Sequence, residues 1–302
     1  EFDVFRIGEN YTLPDDIRIV VMCLDLPDAV FVKYCLKHGI HYVDISASYE
    51  LLSQIELLDT EAKKHNVTAV ISVGLAPGLT NLLAAHCKSR FERMEGADIF
   101  VLLGLGEAHG EAAIRWTIEN LNSDFSIREN GVVRHVASFS EGKRAIFPQG
   151  IDTRSAYRFN FSDQHVIPNT LEIPSVSTWV CFDSALTTNL FALFKKIGLL
   201  NVLRYKPLQE LMVRILKTFH FGSDIFVMKV DAHGTVGGKD TFYECAVSGH
   251  GEGRGTALIA SEVAAALYSD PFPPGVFHIE QLFDPVQMIA KLEDKGLKFY
   301  CS

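Results

Sequence analysis

Over about the first 90 residues, short β-branched runs alternate with stretches whose apolar residues recur at helical spacing. Residues 16–24 (DIRIVVMCL) form a nearly continuous apolar run, the pattern of a strand covered on both faces. A helical pattern over 26–38 follows, and Gly39 supplies its stop. Residues 40–46 (IHYVDIS) predict the next strand, and 49–66 the next helix, with apolar positions at Leu51, Leu52, Ile55, Leu58 and Ala62. A third strand is predicted over 67–73 and a third helix over 79–91. Strand and helix in this order specify a parallel sheet with crossover helices. Ligands bind such sheets beyond the carboxyl ends of the strands.

From Gly96 the pattern changes. Residues 97–105 read as a strand broken by Gly104, Gly106 and Gly110, and 111–122 as a helix. Residues 125–147 alternate in short strands around Asn130-Gly131, a hairpin signal. Residues 148–176 are mixed, with Pro148, Pro168 and Pro174 and little periodicity. A strand over 177–182, helices over 186–197 and 208–218, and paired strands over 225–233 and 241–248 complete an α+β region with a mostly antiparallel sheet. Residues 256–268 and 284–295 predict helices, and 297–301 a last short strand.

Before residue 16 the pattern predicts at most one short strand, over 2–7, and no G-x-G-x-x-G turn. The parallel sheet therefore reads as N-terminally incomplete, its phosphate cradle either upstream of Glu1 or lost. The 20-residue stretch 68–87 carries no charge and is long enough to test as a membrane span. Gly74, Pro77 and Gly78 interrupt its centre, so strand, turn and helix is the better reading.

Composition narrows the class. A chain of 302 residues buries a large core and is expected to divide into two domains. A net charge of -9 without a basic run argues against a nucleic-acid partner. The six cysteines lack C-x-x-C spacing, which fits buried thiols in a reduced, cytoplasmic protein. The histidines show no H-E-x-x-H or paired Cys/His spacing, so no metal site is expected. Neither Tyr-x-x-x-Lys nor Gly-x-Ser-x-Gly occurs.

Candidate chemistry gathers at the predicted strand ends. Asp25, with Leu26 and Pro27 behind it, reads equally as a helix cap and as a cofactor contact. Asp44 and Ser46 alternate onto one face of an apolar strand and precede Tyr49. A carboxylate there can cap the next helix, orient a substrate amine or share its proton. Gly74, Pro77 and Gly78 make a tight turn that also permits close approach of a flat ring, with Asn81 in the first helical turn behind it. The run 249–255 (GHGEGRG) opens a helix, where Arg254 and free amides suit a carboxylate. It follows an antiparallel strand, so it is not the dinucleotide fingerprint.

Residues 23–27 (CLDLP), 35–46 (CLKHGIHYVDIS) and 74–84 (GLAPGLTNLLA), with 255–257 (GTA), 274–276 (PGV) and 280–282 (EQL), resemble the saccharopine dehydrogenase-like oxidoreductases. The resemblance implies a Rossmann-like NAD(P)-binding domain over 1–94 plus 255–302, interrupted by a substrate and dimerisation domain over 95–254. It also implies NAD or NADP chemistry at a carbon–nitrogen bond of a small amino-acid-derived substrate, in a homodimer away from nucleic acid and membrane. Carried onto this sequence, Asp44 and Ser46 are the catalytic candidates. Leu24, Asp25, Leu26, Pro27, Gly74, Pro77, Gly78 and Asn81 would face the cofactor, and Tyr49, Arg254 and Thr256 the substrate. Two other readings stay open: a non-catalytic relative kept for ligand sensing or assembly, and a synthase joining amino acids to amines through an imine.

Overall fold

The computed structural model describes residues 13–107, 110–148, 150, 151, 153–218 and 222–302. The expected short strand at 2–7 lies outside these residues. In the first unit, β1 (Ile19–Met22), α1 (Val30–Lys37), β2 (His41–Asp44), α2 (Tyr49–Glu56), α3 (Asp59–Lys64), β3 (Thr68–Ile71) and α4 (Thr80–Lys88) follow one another as predicted. Gly39 closes α1 with φ of 73°, a conformation open to glycine without strain. The helix expected over 49–66 is two helices, broken at the exposed Leu57. Asp59, at the start of α3, accepts the Val276 N–H at 3.1 Å, which ties α3 to the returning C-terminal segment.

In the second unit, β4 (Arg93–Leu103), α5 (Glu111–Asn120), β5 (Asp124–Glu129), β6 (Val132–Ala137), β7 (Gly142–Ala145), β8 (Arg154–Arg158), α6 (Asp163–Thr170) and β9 (Ser175–Phe182) come first. They are followed by α7 (Ala185–Lys196), α8 (Lys206–Thr218), β10 (Ile225–Val236) and β11 (Lys239–His250). The Asn130-Gly131 turn joins β5 to β6 with both residues at positive φ, 51° and 76°, as the hairpin signal predicts. Gly237 and Gly238 do the same between β10 and β11.

The chain ends with α9 (Glu252–Ser269), β12 (Gly275–His278), α10 (Ile279–Leu282), α11 (Pro285–Asp294) and β13 (Lys298–Cys301). Sheet order is β1-β2-β3-β12 in the first sheet, all parallel. The second runs β13-β11-β10-β4-β9-β5-β6, mostly antiparallel with one parallel pair, β4 and β9. The C-terminal segment therefore serves both sheets: β12 extends the first and β13 edges the second. Helix α11 packs on α4 and β13 rather than directly on the first sheet's strands.

The first unit has its own core, built on Val32, Leu36, Tyr42, Leu52 and Ile71. A larger core fills the space between the second sheet, α4 and α9, with Leu79, Leu82, Val101, Phe226 and Ile259 among its members. The far face of that sheet is partly covered from within the chain. Ala145 and Phe147 pack there on Phe100, Leu102, Trp179 and Val227. Helices α7 and α8 instead carry exposed apolar stripes at Leu190, Leu193 and Ile197, and at Leu208, Leu211 and Ile215.

Phe100 is fully buried in that far-face core. Phe100→Ala is expected to cost about 3–5 kcal/mol in urea unfolding. Leu57→Ala, at an exposed site, should stay within about 0.5 kcal/mol of wild type. Equal losses in the two variants would contradict this packing.

Candidate active site

The carboxyl ends of the three chain-adjacent parallel strands converge. The Ile45 N–H reaches the Met22 carbonyl at 3.4 Å, and the Val73 N–H reaches the Asp44 carbonyl at 3.0 Å. Asp44 has no exposed surface at this junction. The Tyr42 hydroxyl donates to its Oδ2 at 2.6 Å, and the Ser46 N–H donates to its Oδ1 at 2.6 Å. Burial pushes the Asp44 carboxyl up to about 6, against the pull of those two donors, with Asp25 nearby raising it further. Asp25 thus stands close to Asp44, as expected of neighbouring strand ends. Ser46 accepts the Ser48 N–H at 3.2 Å and so shapes the entry to α2.

Beyond β3 the chain makes an irregular turn over Leu75–Leu79, with a cis peptide between Ala76 and Pro77 and Gly78 at φ of 131°. Asn81, fully buried, fixes this turn. Its Oδ1 accepts the Gly78 N–H at 3.0 Å, and its Nδ2 donates to Glu280 Oε2 at 3.0 Å. Glu280 Oε1 in turn accepts the Thr170 hydroxyl at 2.6 Å, so one bracket joins α4, α10 and α6. Nearby, Ser72 Oγ lies 2.8 Å from His278 Nδ1, and His278 Nε2 lies 3.0 Å from Glu56. The order resembles a nucleophile relay, but Ser72 is fully buried, which leaves no approach for a substrate.

Helix α6 adds a second buried acid. Asp163 Oδ1 accepts from the Thr178 hydroxyl at 2.6 Å and from the Gln164 N–H at 2.7 Å. Burial pushes its carboxyl up to about 6. His165 stacks on Tyr49 with ring centroids 4.9 Å apart, and its Nε2 lies 2.7 Å from Asn160 Oδ1. Burial pushes the His165 ring down to about 4, so it stays neutral at pH 7.

A cavity of about 200 Å³ opens between the turn after β3 and the second sheet. Ile45, Gly74, Ala76 and Pro77 form one wall, Trp116, Phe161 and Met228 the other, and Glu252 and Thr256 stand at the start of α9. A Cβ on Gly74 would come 3.1 Å from the Pro77 carbonyl and 3.6 Å from Thr256 Cγ2, so the bare backbone keeps the wall flat. Glu252 is the titratable group on this lining. Burial first, then the neighbouring Glu107 and Asp183 carboxylates, push it up to about 8. Glu107 also accepts the N–H groups of Glu252 and Gly253, so it occupies amides expected to be free for a substrate carboxylate.

Of the residues expected at the site, Gly74, Pro77 and Thr256 line this cavity. Gly78 and Asn81 hold the turn from behind, and Asp44 and Ser46 hold the loop before α2. Tyr49 meets His165 at the edge. Leu24, Asp25 and Pro27 form an exposed turn beyond β1, with Leu26 buried beneath it. Arg254 is not brought to the cavity: it is exposed and donates to the Lys295 carbonyl at 2.8 Å. Sequence reasoning missed Glu252, Asp163, His165 and Glu280. Glu252 and Thr256 are one helical turn apart at the head of α9, and that spacing was the available signal.

Among the described residues, no group of His, Cys, Asp and Glu is arranged to hold a metal ion. No helix there is long and apolar enough to cross a membrane. No protein-family model matches the sequence, and no curated protein matches it. Among solved structures, the fold is similar to that of a saccharopine dehydrogenase (L-Glu forming) from Saccharomyces cerevisiae. The TM-score is 0.63 at 14% identity, over 95% of this chain and 85% of that one. A DAP dehydrogenase from C. glutamicum is more distant, with TM-score 0.47 at 11% identity over 98% and 85% of the two chains. The chain thus shares a Rossmann-like fold with the yeast enzyme.

The raised carboxyls predict the sign of a pH effect. Each acid is held protonated in the folded state above its unfolded value of about 4. Its stabilising share is full below pH 4 and is lost as pH rises through about 6 for Asp44 and Asp163, and about 8 for Glu252. Urea unfolding from pH 4 to 9 should therefore show Glu252→Gln gaining on wild type between pH 5 and 8, and Asp44→Asn gaining mainly between pH 4 and 6. Parallel curves for variant and wild type would contradict the burial assigned to these groups.

Proposed function

We propose that the chain is an NAD(P)-dependent oxidoreductase acting on a carbon–nitrogen bond of a small amino-acid-derived substrate. The carrying observation is the cavity itself. A flat backbone wall at the strand ends faces an apolar wall from the second sheet, with the Glu252 carboxyl at its edge. The saccharopine dehydrogenase fold supports the reading. The described residues fit the nicotinamide half of a dinucleotide: the Leu24–Pro27 turn and the Gly74–Pro77 wall lie beyond the carboxyl ends of β1 and β3, which flank β2. NAD or NADP, when bound there, supplies the hydride acceptor.

Oxidation at such a bond removes a hydride from carbon and a proton from nitrogen and leaves a C=N bond. In this reading Glu252 takes the nitrogen's proton, and the reverse direction returns it. Trp116, Phe161 and Met228 exclude water from the reacting atoms. Asp44, Ser46 and Asn81 act as positioning residues, because their polar atoms hold the two loops that shape the wall. The six cysteines are all free thiols, and the reading places the enzyme in a reducing cytoplasm.

Screening amino-acid-derived amines with NAD⁺ and NADP⁺, read by the ultraviolet absorbance of the reduced nicotinamide, tests the proposal. For a substrate found this way, Glu252→Gln should lower turnover by roughly a hundredfold or more without lowering the melting temperature. Asp44→Asn should lower it less and raise KM. Imine formation without net nicotinamide reduction would identify a synthase instead, and no turnover with any amine would favour a sensing role.

A homodimer belongs to the same proposal. Since Ala145 and Phe147 already cover much of the sheet's far face, the exposed α7 and α8 stripes are the surface that self-association would cover. Sedimentation at micromolar concentration should show twice the chain mass, and Leu193→Glu with Leu211→Glu should halve it. A wild-type monomer would overturn this part of the reading.

A further inference from the structure

A second cavity, of about 310 Å³, lies against the first and is larger. The two share Leu103, Ala113, Thr117, Phe182 and Glu252 in their linings, so they lie side by side as two compartments with Glu252 bordering both. Ile118, Leu121, Phe191 and Leu216 give the second compartment an aliphatic and aromatic wall from α5, α7 and α8. Such a wall does not hold water well, and an apolar cavity of about 150 Å³ already accommodates a benzene-sized molecule. We infer that this compartment receives the apolar side chain of the substrate, so that the enzyme acts on amines whose cationic nitrogen sits at Glu252 and whose tail is a hydrocarbon of more than one ring's bulk. This rests on the oxidoreductase reading for its chemistry but not for its binding.

Three features agree on that orientation. Glu252 stands where the compartments meet, so a nitrogen held there directs any attached chain into one of them. The first compartment is bounded by the flat Gly74–Pro77 wall assigned above to the nicotinamide ring, which leaves the second for the tail. Glu107 and Asp183 act electrostatically on Glu252, so the head position is acidic and favours an ammonium over a carboxylate. The occupied amides of Glu252 and Gly253 also disfavour an anion there.

Calorimetric titration of the protein with straight-chain alkylamines, from butyl to decyl, tests this without cofactor. Each added methylene should tighten binding about fourfold until the compartment is full, and then give no more. Alkanesulfonates of equal length should bind at least tenfold more weakly. Ile118→Trp, and independently Leu216→Trp on the partly buried α8 face, should flatten the chain-length dependence, weakening decylamine at least tenfold more than butylamine. Two variants from different elements guard against one that fails to fold.

Affinity independent of chain length, or a dependence that survives both tryptophan variants, overturns the inference. Equal binding of sulfonates overturns the cationic head. Chain-length-dependent binding with no NAD(P) turnover would instead sink the oxidoreductase reading and leave the compartment standing. Turnover of short polar amines alone would do the reverse.

Discussion

Asn81 has no exposed surface, so both ends of its amide must be satisfied within the protein. Its oxygen holds the Gly78 N–H, and its nitrogen holds Glu280, which also holds Thr170. Three parts of the chain, around Asn81, Thr170 and Glu280, are thereby fixed to one another. The turn after β3, the segment after β12 and the end of α6 cannot shift independently. Because that turn is one wall of the cavity and α6 belongs to the other unit, the bracket fixes the width of the cleft. Removing Asn81 would leave the mostly buried Glu280 short of a donor, a cost of a few kcal/mol.

The local grammar of the first unit was legible because each signal sits within a few residues. Gly39 stops α1, the apolar run at 67–73 reads as a strand, and the Gly74–Gly78 turn falls at its carboxyl end. Two hairpin turns were equally local. Helix α6 was not visible, because Pro168 lies inside it and its polar positions are buried against β9 rather than solvated. Asp163 and Gln164 read as loop residues, although their partners at Thr178 make them core. Arg254 reads as a site residue because its charge stands in a glycine-rich run at a helix start. Two residues from Glu252 and from Thr256, it points about 200° away from both around the helix, toward Lys295.

Two buried carboxyls and one partly buried one are raised, and access separates them. Asp44 is sealed, with one donor on each oxygen. Asp163 is sealed too, and two donors meet on its Oδ1. Both are protonation-dependent structural parts, whose cost of ionising is spread over the loops they hold. Glu252 alone of the three lines the cleft, and its carboxyl is pushed highest, up to about 8. Before substrate binds it is therefore mostly protonated at pH 7, which suits donation of a proton to an imine nitrogen. An arriving ammonium lowers it again, because opposite charges stabilise the carboxylate. In the proposed reaction the same group would be acid when the site awaits an imine and base when it holds an amine, a reversal that follows from the charges around it and requires no movement of the protein.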